Sequence, residues 1–362
     1  MRLPVLLAVS VCIGACADTT DDTGSTTDAG QTTADASVSG TVDARVGGTP
    51  DAATLVTLKK CTGRSFTPGT KEEWNHSIVS AGIALASQQH SVNDVISTSL
   101  TGNMVTAKIV YGVLFVDLED EKIRLYMDDC SSWKLMTTQV SDVDGKVSFT
   151  FPSLAYGIYD IKWEVAGDLT SVPGRLWVLP RNTHVAVHGV DGTLTNSDAE
   201  LFADIYEEIL AGDYVPELYD GAVDLTKNFA TAGYVNVYLT GRPYWLTNLT
   251  RKWFAEAGFG AGALIFASSN TEALPSESGV GNYKKAKLAA LKNAGFILDF
   301  AHGNATTDIY AYLGAGLAAG ITYIIGEHAG EQGTVAVQGA GDWADRAAAV
   351  KVLPRPAQPF NP

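Results

Sequence analysis

Cysteine and histidine are scarce in this chain: four and six residues among 362. Two of the cysteines, Cys12 and Cys16, fall in the first apolar segment, which leaves Cys61 and Cys130 for the rest of the protein. No Cys or His spacing fits a zinc site. Basic residues are also few: 25 Lys and Arg stand against 40 Asp and Glu, a formal charge of −15 with a pI near 4.7. No basic face is available to displace counterions from a nucleic acid, so nucleic-acid partners are excluded, although a local basic pocket for an anionic lipid is not. The opening apolar run, Leu3 to Ile13, is too short to span a bilayer.

What is present begins with a leader. Arg2 precedes the apolar run and the small residues Gly14-Ala15-Cys16 close it, the pattern of a secretory signal over residues 1–16. Ile13-Gly14-Ala15-Cys16 resembles a bacterial lipobox, which implies that Cys16 becomes the lipidated first residue of an exported lipoprotein, anchored in the cell envelope on its periplasmic or surface side. Residues 17–60 follow as an acidic tether. From Ala17 to Thr54 there are seven Asp and one Arg, with almost no large apolar residue. Such a segment cannot bury enough surface to offset chain entropy. In an exported chain, Cys61 and Cys130 are expected to form a disulfide.

Hydrophobic periodicity divides the remainder. Residues 70–182 alternate in short β-branched and aromatic runs: Val105 to Val116, Ile123 to Met127, Lys134 to Val140, Val147 to Phe151, Gly157 to Val165 and Gly174 to Leu179. This spacing predicts an antiparallel, loosely immunoglobulin-like β-sandwich. Residues 183–335 instead alternate strand and helix patterns. Strands are expected at His184 to Val187, Val235 to Leu239, Gly262 to Phe266, Ile297 to Phe300 and Thr322 to Ile325. Helices are expected at Ala199 to Leu210, Tyr244 to Ala257, Tyr283 to Ala294 and Thr306 to Ala315. The fold class is therefore α/β, a doubly wound parallel sheet, preceded by a smaller β-sandwich domain. Residues 336–362 read as a C-terminal helix and a disordered Pro-rich tail.

Four pieces of the second domain fall at strand C-termini or just beyond, where such a sheet binds ligands. They are Asp191-Gly192-Thr193-Leu194-Thr195, Tyr238-Leu239-Thr240-Gly241-Arg242-Pro243, Tyr283-Lys284, and the run from Gly303 through Asn304 and Asp308 to Tyr312. In this order they resemble the haloacid dehalogenase (HAD) superfamily of phosphatases, and within it the lipin-type phosphatidate phosphatase domain. The resemblance covers roughly residues 183–330.

The resemblance implies a site. Its first carboxylate attacks phosphorus and its second, two residues later, serves as general acid and base. Asp191 holds the acid/base position, but Gly189 stands where the nucleophilic Asp is expected. Gly192, Thr193, Thr240, Gly241 and Lys284 are the implied phosphate-binding residues, with Lys285 and Lys287 as neighbouring candidates. Asp308 and Asn304 are the implied ligands of a Mg²⁺ ion weakened by the loss of a carboxylate at 189. His188 lies on the opposite strand face, and Arg242 reads as a loop anchor.

Three functions follow, from different classes. One is a membrane-tethered pseudoenzyme that binds a phosphate-bearing ligand, such as phosphatidic acid or a phosphorylated small molecule. The second is an active Mg²⁺-dependent phosphatidate phosphatase. The third is a structural surface lipoprotein.

Overall fold

Alternation of buried and exposed side chains builds the first half as two facing sheets. In the computed structural model, which describes residues 58–196, 216–337, 342–357 and 359–360, this half runs β1 (Lys59–Cys61), α1 (Val79–Ile83), β2 (Ser91–Val92), β3 (Val95–Ser97), β4 (Met104–Lys108), β5 (Val110–Tyr111), β6 (Val116–Asp117), β7 (Lys122–Asp128), β8 (Trp133–Val140), β9 (Lys146–Thr150), β10 (Gly157–Val165) and β11 (Ser171–Val178). A sheet ordered β3-β11-β10-β7-β8, with β1 beside β10, faces the sheet β2-β4-β9. Val105, Val147, Ile123, Leu125, Ile161, Trp163 and Val172 fill the space between them.

Several expectations need correction here. The sandwich is mixed rather than all antiparallel, because β1 and β3 pair parallel with β10 and β11. The tether cannot extend to residue 60: Lys59–Cys61 is a strand, held by β10 and by the bond between Cys61 and Cys130. The run Val105 to Val116 is not one strand. Gly112, at φ +70°, turns it into the hairpin of β5 and β6. The leader with Cys16, nearly all of the tether, and the helix expected over Ala199 to Leu210 lie outside the described residues.

The second half alternates strand and helix, with α2 and β17 added to the expected elements: β12 (His184–His188), α2 (Ala222–Ala232), β13 (Val235–Pro243), α3 (Thr247–Ala257), β14 (Gly262–Ala267), α4 (Asn282–Ala294), β15 (Ile297–Gly303), α5 (Thr306–Gly314), β16 (Thr322–Ile324), β17 (Val335–Ala336) and α6 (Ala344–Lys351). The sheet is parallel throughout, in the order β14-β13-β12-β15-β16-β17. Strand alternation sends Val185 and Val187 to a core with Leu288, Leu291, Ala311 and Tyr312 of α4 and α5. Ala186 faces the other way, toward Leu225, Phe229, Phe254, Ala347 and Val350 of α2, α3 and α6. Helices on both faces make the sheet doubly wound. Among the described residues of the expected tail, Phe360 belongs to this packing: it is buried, packs 5.9 Å from Trp177, and donates its backbone N–H to Gly233 O at 2.7 Å.

The two halves share one compact unit from Ala52 to Pro362. Ile158, Trp177 and Leu179 of the sandwich side join the core beneath α4 and α5. The junction also solves an edge problem. β14 is one of the two edge strands, and its unpaired backbone would otherwise template aggregation. Asn93 and Asp94 cover it. Asp94 N donates to Leu264 O at 3.1 Å, Leu264 N donates to Asp94 Oδ2 at 2.9 Å, and Phe266 N donates to Asn93 Oδ1 at 2.7 Å. Asp94 Oδ1 is bound by Arg251 at 2.7 Å and by the Arg175 N–H at 2.8 Å. Asp94→Ala leaves Arg251 and two backbone donors without this carboxylate. The expected loss of unfolding free energy in urea is about 3 kcal/mol; a loss below about 1 kcal/mol would show that the junction is held elsewhere.

Candidate functional site

The site forms where β12 ends. Gly189 N donates to His302 O at 2.9 Å, extending the pairing of β12 with β15 by one residue. The chain then turns through Gly192 at φ +64°. The Val190 carbonyl accepts from the N–H groups of Thr193, Leu194 and Thr195 at 3.2, 2.8 and 3.2 Å, which fixes the loop. Trp343, just before α6, donates its indole N–H to Thr193 O at 2.5 Å and so ties the C-terminal segment to this turn.

Asp191 is gripped rather than displayed. Arg242 Nε donates to its two oxygens at 2.9 and 3.1 Å, and Nη2 donates to Oδ1 at 2.7 Å. Thr240 Oγ1 adds a bond to Oδ2 at 3.2 Å. The guanidinium is itself held by Thr250 through Nη1 at 3.0 Å and stands 5.2 Å from the Trp253 ring centroid. Such a bidentate pair is strong and directional. Arg242 is therefore more than a loop anchor. Its place two residues after Thr240 in the turn was the signal that could have assigned it to Asp191.

At position 189 the expected carboxylate would find its space taken. A Cβ built on Gly189 lies 2.5 Å from Thr193 Oγ1. That hydroxyl donates to Asn304 Oδ1 at 2.9 Å. Lys284, buried in the first turn of α4, lies 2.6 Å from Asp308 Oδ1. Asp308 Oδ2 accepts from the N–H groups of Asn304 and Ala305 at 3.1 and 3.4 Å, in the first turn of α5 where a helix favours an anion.

These groups surround a cleft of about 410 Å³ lined by Asp191, Gly192, Thr240, Gly241, Lys284 and Asp308, with Glu327 and His328 on its far side. Gly189 and Thr193 sit behind this lining. Of the residues expected for phosphate binding, Gly192, Thr240, Gly241 and Lys284 thus line one cleft at the C-terminal ends of the central strands and Thr193 does not, but the charges are mutually paired. A Mg²⁺ ion would need carboxylate and carbonyl oxygens turned toward it. Both oxygens of Asp191 and of Asp308 already accept from protein donors, and Asn304 Oδ1 accepts from Thr193. This donor set does not fit the ion. Among the described residues no three His, Cys, Asp or Glu side chains gather as a metal-holding group.

With the geometry in place, two domain families match in order. Residues 88–178 match the beta-sandwich domain of PITM 1-3, and residues 186–326 match the LNS2 domain of PITM 1-3. The second half is an LNS2 domain. It is lipin-like and related to the HAD fold, as the four motif pieces suggested. The chain is 30% identical to protein retinal degeneration B of Drosophila melanogaster over 273 residues, 73% of this chain and 20% of that protein. It is 28% identical to membrane-associated phosphatidylinositol transfer protein 2 of Mus musculus over 60% of this chain and 16% of the relative. It is 27% identical to membrane-associated phosphatidylinositol transfer protein 3 of Homo sapiens over 71% and 25%. The chain thus spans about a quarter or less of the length of these relatives.

Behind the LNS2 cleft lies a second polar cluster. His188 and His302 stack at 4.7 Å between centroids, wholly buried among Phe229, Tyr238, Tyr323 and Trp343. His188 contacts Asn236 Oδ1 at 3.0 Å, and His302 Nδ1 contacts Val187 O at 3.1 Å. Burial pushes His188 down to about 3 and His302 well below its ordinary value, and the other imidazole adds to the effect on His302. His90 in the sandwich is pushed down to about 4, again by burial.

The sign of the consequence is fixed. Below the unfolded value near 6.5 the unfolded chain takes up protons that these buried imidazoles refuse. Stability is therefore complete above about pH 6.5 and falls as pH drops from there toward 3. Urea titrations at pH 7 and pH 5 should differ by about 2 kcal/mol for each such imidazole. His302→Phe should flatten that slope, whereas an unchanged slope would mean that these rings are not held neutral.

Proposed function

We propose that this protein is a non-catalytic LNS2 domain that binds a phosphate-bearing lipid headgroup, phosphatidic acid being the natural representative, while the chain is anchored at a bacterial envelope membrane through Cys16. The observation that carries the reading is the pair of neighbours at residues 189 and 191. Position 189 has no side chain and its space holds the Thr193 hydroxyl, while Asp191 is saturated by Arg242 and Thr240. A nucleophile is missing and the acid/base carboxylate is engaged, so phosphoryl transfer has neither of its two agents.

Binding does not need those agents. Lys284 lines the cleft, and an ammonium has three donors, of which the contact with Asp308 uses one. A phosphate monoester would meet this cation beside the Thr240 and Gly241 turn. The names of the relatives, membrane-associated phosphatidylinositol transfer proteins, support a lipid ligand. Mg²⁺ has no part in this reading, because the oxygens that would hold it are bound to Lys284, Arg242 and backbone N–H groups.

The test compares vesicles of equal charge containing phosphatidate or phosphatidylglycerol. The protein should be retained more strongly by phosphatidate, and Lys284→Ala should remove that preference, a roughly tenfold effect for a buried charge-assisted contact. Equal retention on both vesicles would overturn the reading. Gly189→Asp alone should not release phosphate from phosphatidate, because its Cβ meets Thr193. Robust turnover by that variant would show that only the nucleophile was missing.

A further inference from the structure

The hairpin of β5 and β6 carries its apolar residues outward. Its tip, Gly112-Val113-Leu114-Phe115, leaves Val113 50% and Leu114 74% exposed, and Val116 just after it is 44% exposed. The Gly112 N–H bonds Ser87 O at 2.7 Å, which sets Leu85, 90% exposed, two residues before a fixed contact with the same tip. Contiguous exposed aliphatic side chains are unusual on a soluble surface and mark a surface that meets something apolar.

The tip is not an ornament of the sandwich alone. Phe115 stacks on Trp245 at 5.0 Å and stands edge-on to Tyr244 at 6.5 Å. Tyr244 directly follows Pro243, the last residue of β13, whose Thr240 and Arg242 hold Asp191 and whose Thr240 and Gly241 line the LNS2 cleft. The apolar tip is thus braced against the strand end that forms one wall of that cleft. Beside it runs a groove of about 400 Å³ between the two halves, where Lys108, Lys146 and Lys287 stand with Tyr244. Lys108 Nζ is 2.6 Å from Asp117 and 5.6 Å from the Tyr244 ring, so this basic edge is continuous with the hairpin. Lys108 is paired with Asp117 and Lys146 with Asp144 at 3.1 Å, surface pairs of small worth that headgroup phosphates can replace; with Lys287 they flank the apolar tip, a combination that suits an occupant apolar inside and anionic at its surface.

We propose that the β5–β6 hairpin is a membrane wedge: Val113, Leu114 and Val116 enter the acyl boundary of an anionic bilayer while Lys108, Lys146 and Lys287 meet its headgroups. The wedge brings the mouth of the cleft to the headgroup layer, and so rests on the headgroup-binding reading for its purpose though not for its chemistry. Trp245, stacked on Phe115, adds an amphipathic aromatic of the kind that settles at a membrane interface, and the lysines add surface attraction that salt weakens.

The experiment is flotation of the unit Ala52–Pro362 on three vesicle compositions: phosphatidylcholine alone, and phosphatidylcholine with phosphatidylglycerol or with phosphatidate at equal charge. The unmodified unit should float with both anionic vesicles and much less with the neutral one. Val113→Ser with Leu114→Ser should lower the bound fraction on both anionic vesicles roughly tenfold. Lys146→Glu should lower it several-fold. Undiminished flotation of the Val113→Ser, Leu114→Ser variant overturns the wedge, as does failure of the unmodified unit to bind either anionic vesicle. Equal flotation on neutral vesicles overturns the role of the lysines. Equal flotation of the unmodified unit on phosphatidate and phosphatidylglycerol vesicles counts against the headgroup reading alone. Unchanged near-ultraviolet circular dichroism of the hairpin variant excludes misfolding as the cause of lost binding.

Discussion

The ion pair of Asp191 with Arg242 governs the LNS2 cleft. A mostly buried carboxylate at a strand end must be paired, and removing one partner of such a pair costs about 3–5 kcal/mol. Arg242 meets that demand in bidentate geometry and is fixed in turn by Thr250 and Trp253. The consequence is chemical as well as structural. A carboxylate whose two oxygens already accept three guanidinium bonds and a hydroxyl bond is poorly placed to shuttle a proton. The same pattern recurs across the cleft, where Lys284 and Asp308 neutralise one another. Charges that a phosphatase directs at substrate and metal are here largely directed at each other.

The sandwich is part of the same construction. Asn93 and Asp94 end the parallel sheet by offering side-chain and backbone partners to β14, and Trp177 with Phe360 continues the core across the junction. An edge closed in this way holds the two halves in fixed register. That register places the β5–β6 hairpin beside the end of β13, which carries Thr240 and Arg242. A recognition surface and a ligand cleft on separate halves can then act on one membrane without a hinge.

Much of this was legible in the residues. Five strands of the parallel sheet and three of its helices follow from periodicity within a few residues, because long amphipathic patterns override local ambiguity. The clustering of Asp191, Thr240, Lys284, Asn304 and Asp308 was also readable, since Asp191, Thr240 and Asn304 lie at or just beyond a strand C-terminus and Lys284 and Asp308 in the first turn of a following helix. What escaped depends on partners distant in sequence. Nothing local says that Asn93 will cap a strand at residue 266, that Thr193 will fill the space above Gly189, or that Phe360 will return to Gly233. The two-residue strand Val335–Ala336 is too short to carry a period, whereas α2 buries Ala222, Leu225, Thr226, Phe229 and Ala230 at helical spacing and was a readable signal that went unused. Gly112 was the one visible signal that the run from Val105 must turn, and it is the residue that creates the exposed hairpin.

Phosphorus NMR of a short-chain, water-soluble phosphatidate mixed with the protein and Mg²⁺ separates binding from turnover in one observation. The phosphomonoester resonance should shift or broaden in proportion to added protein while no inorganic phosphate resonance appears over a day. Steady growth of inorganic phosphate, abolished by Asp191→Asn, would contradict it and make the Asp191–Arg242 pair part of a working catalyst.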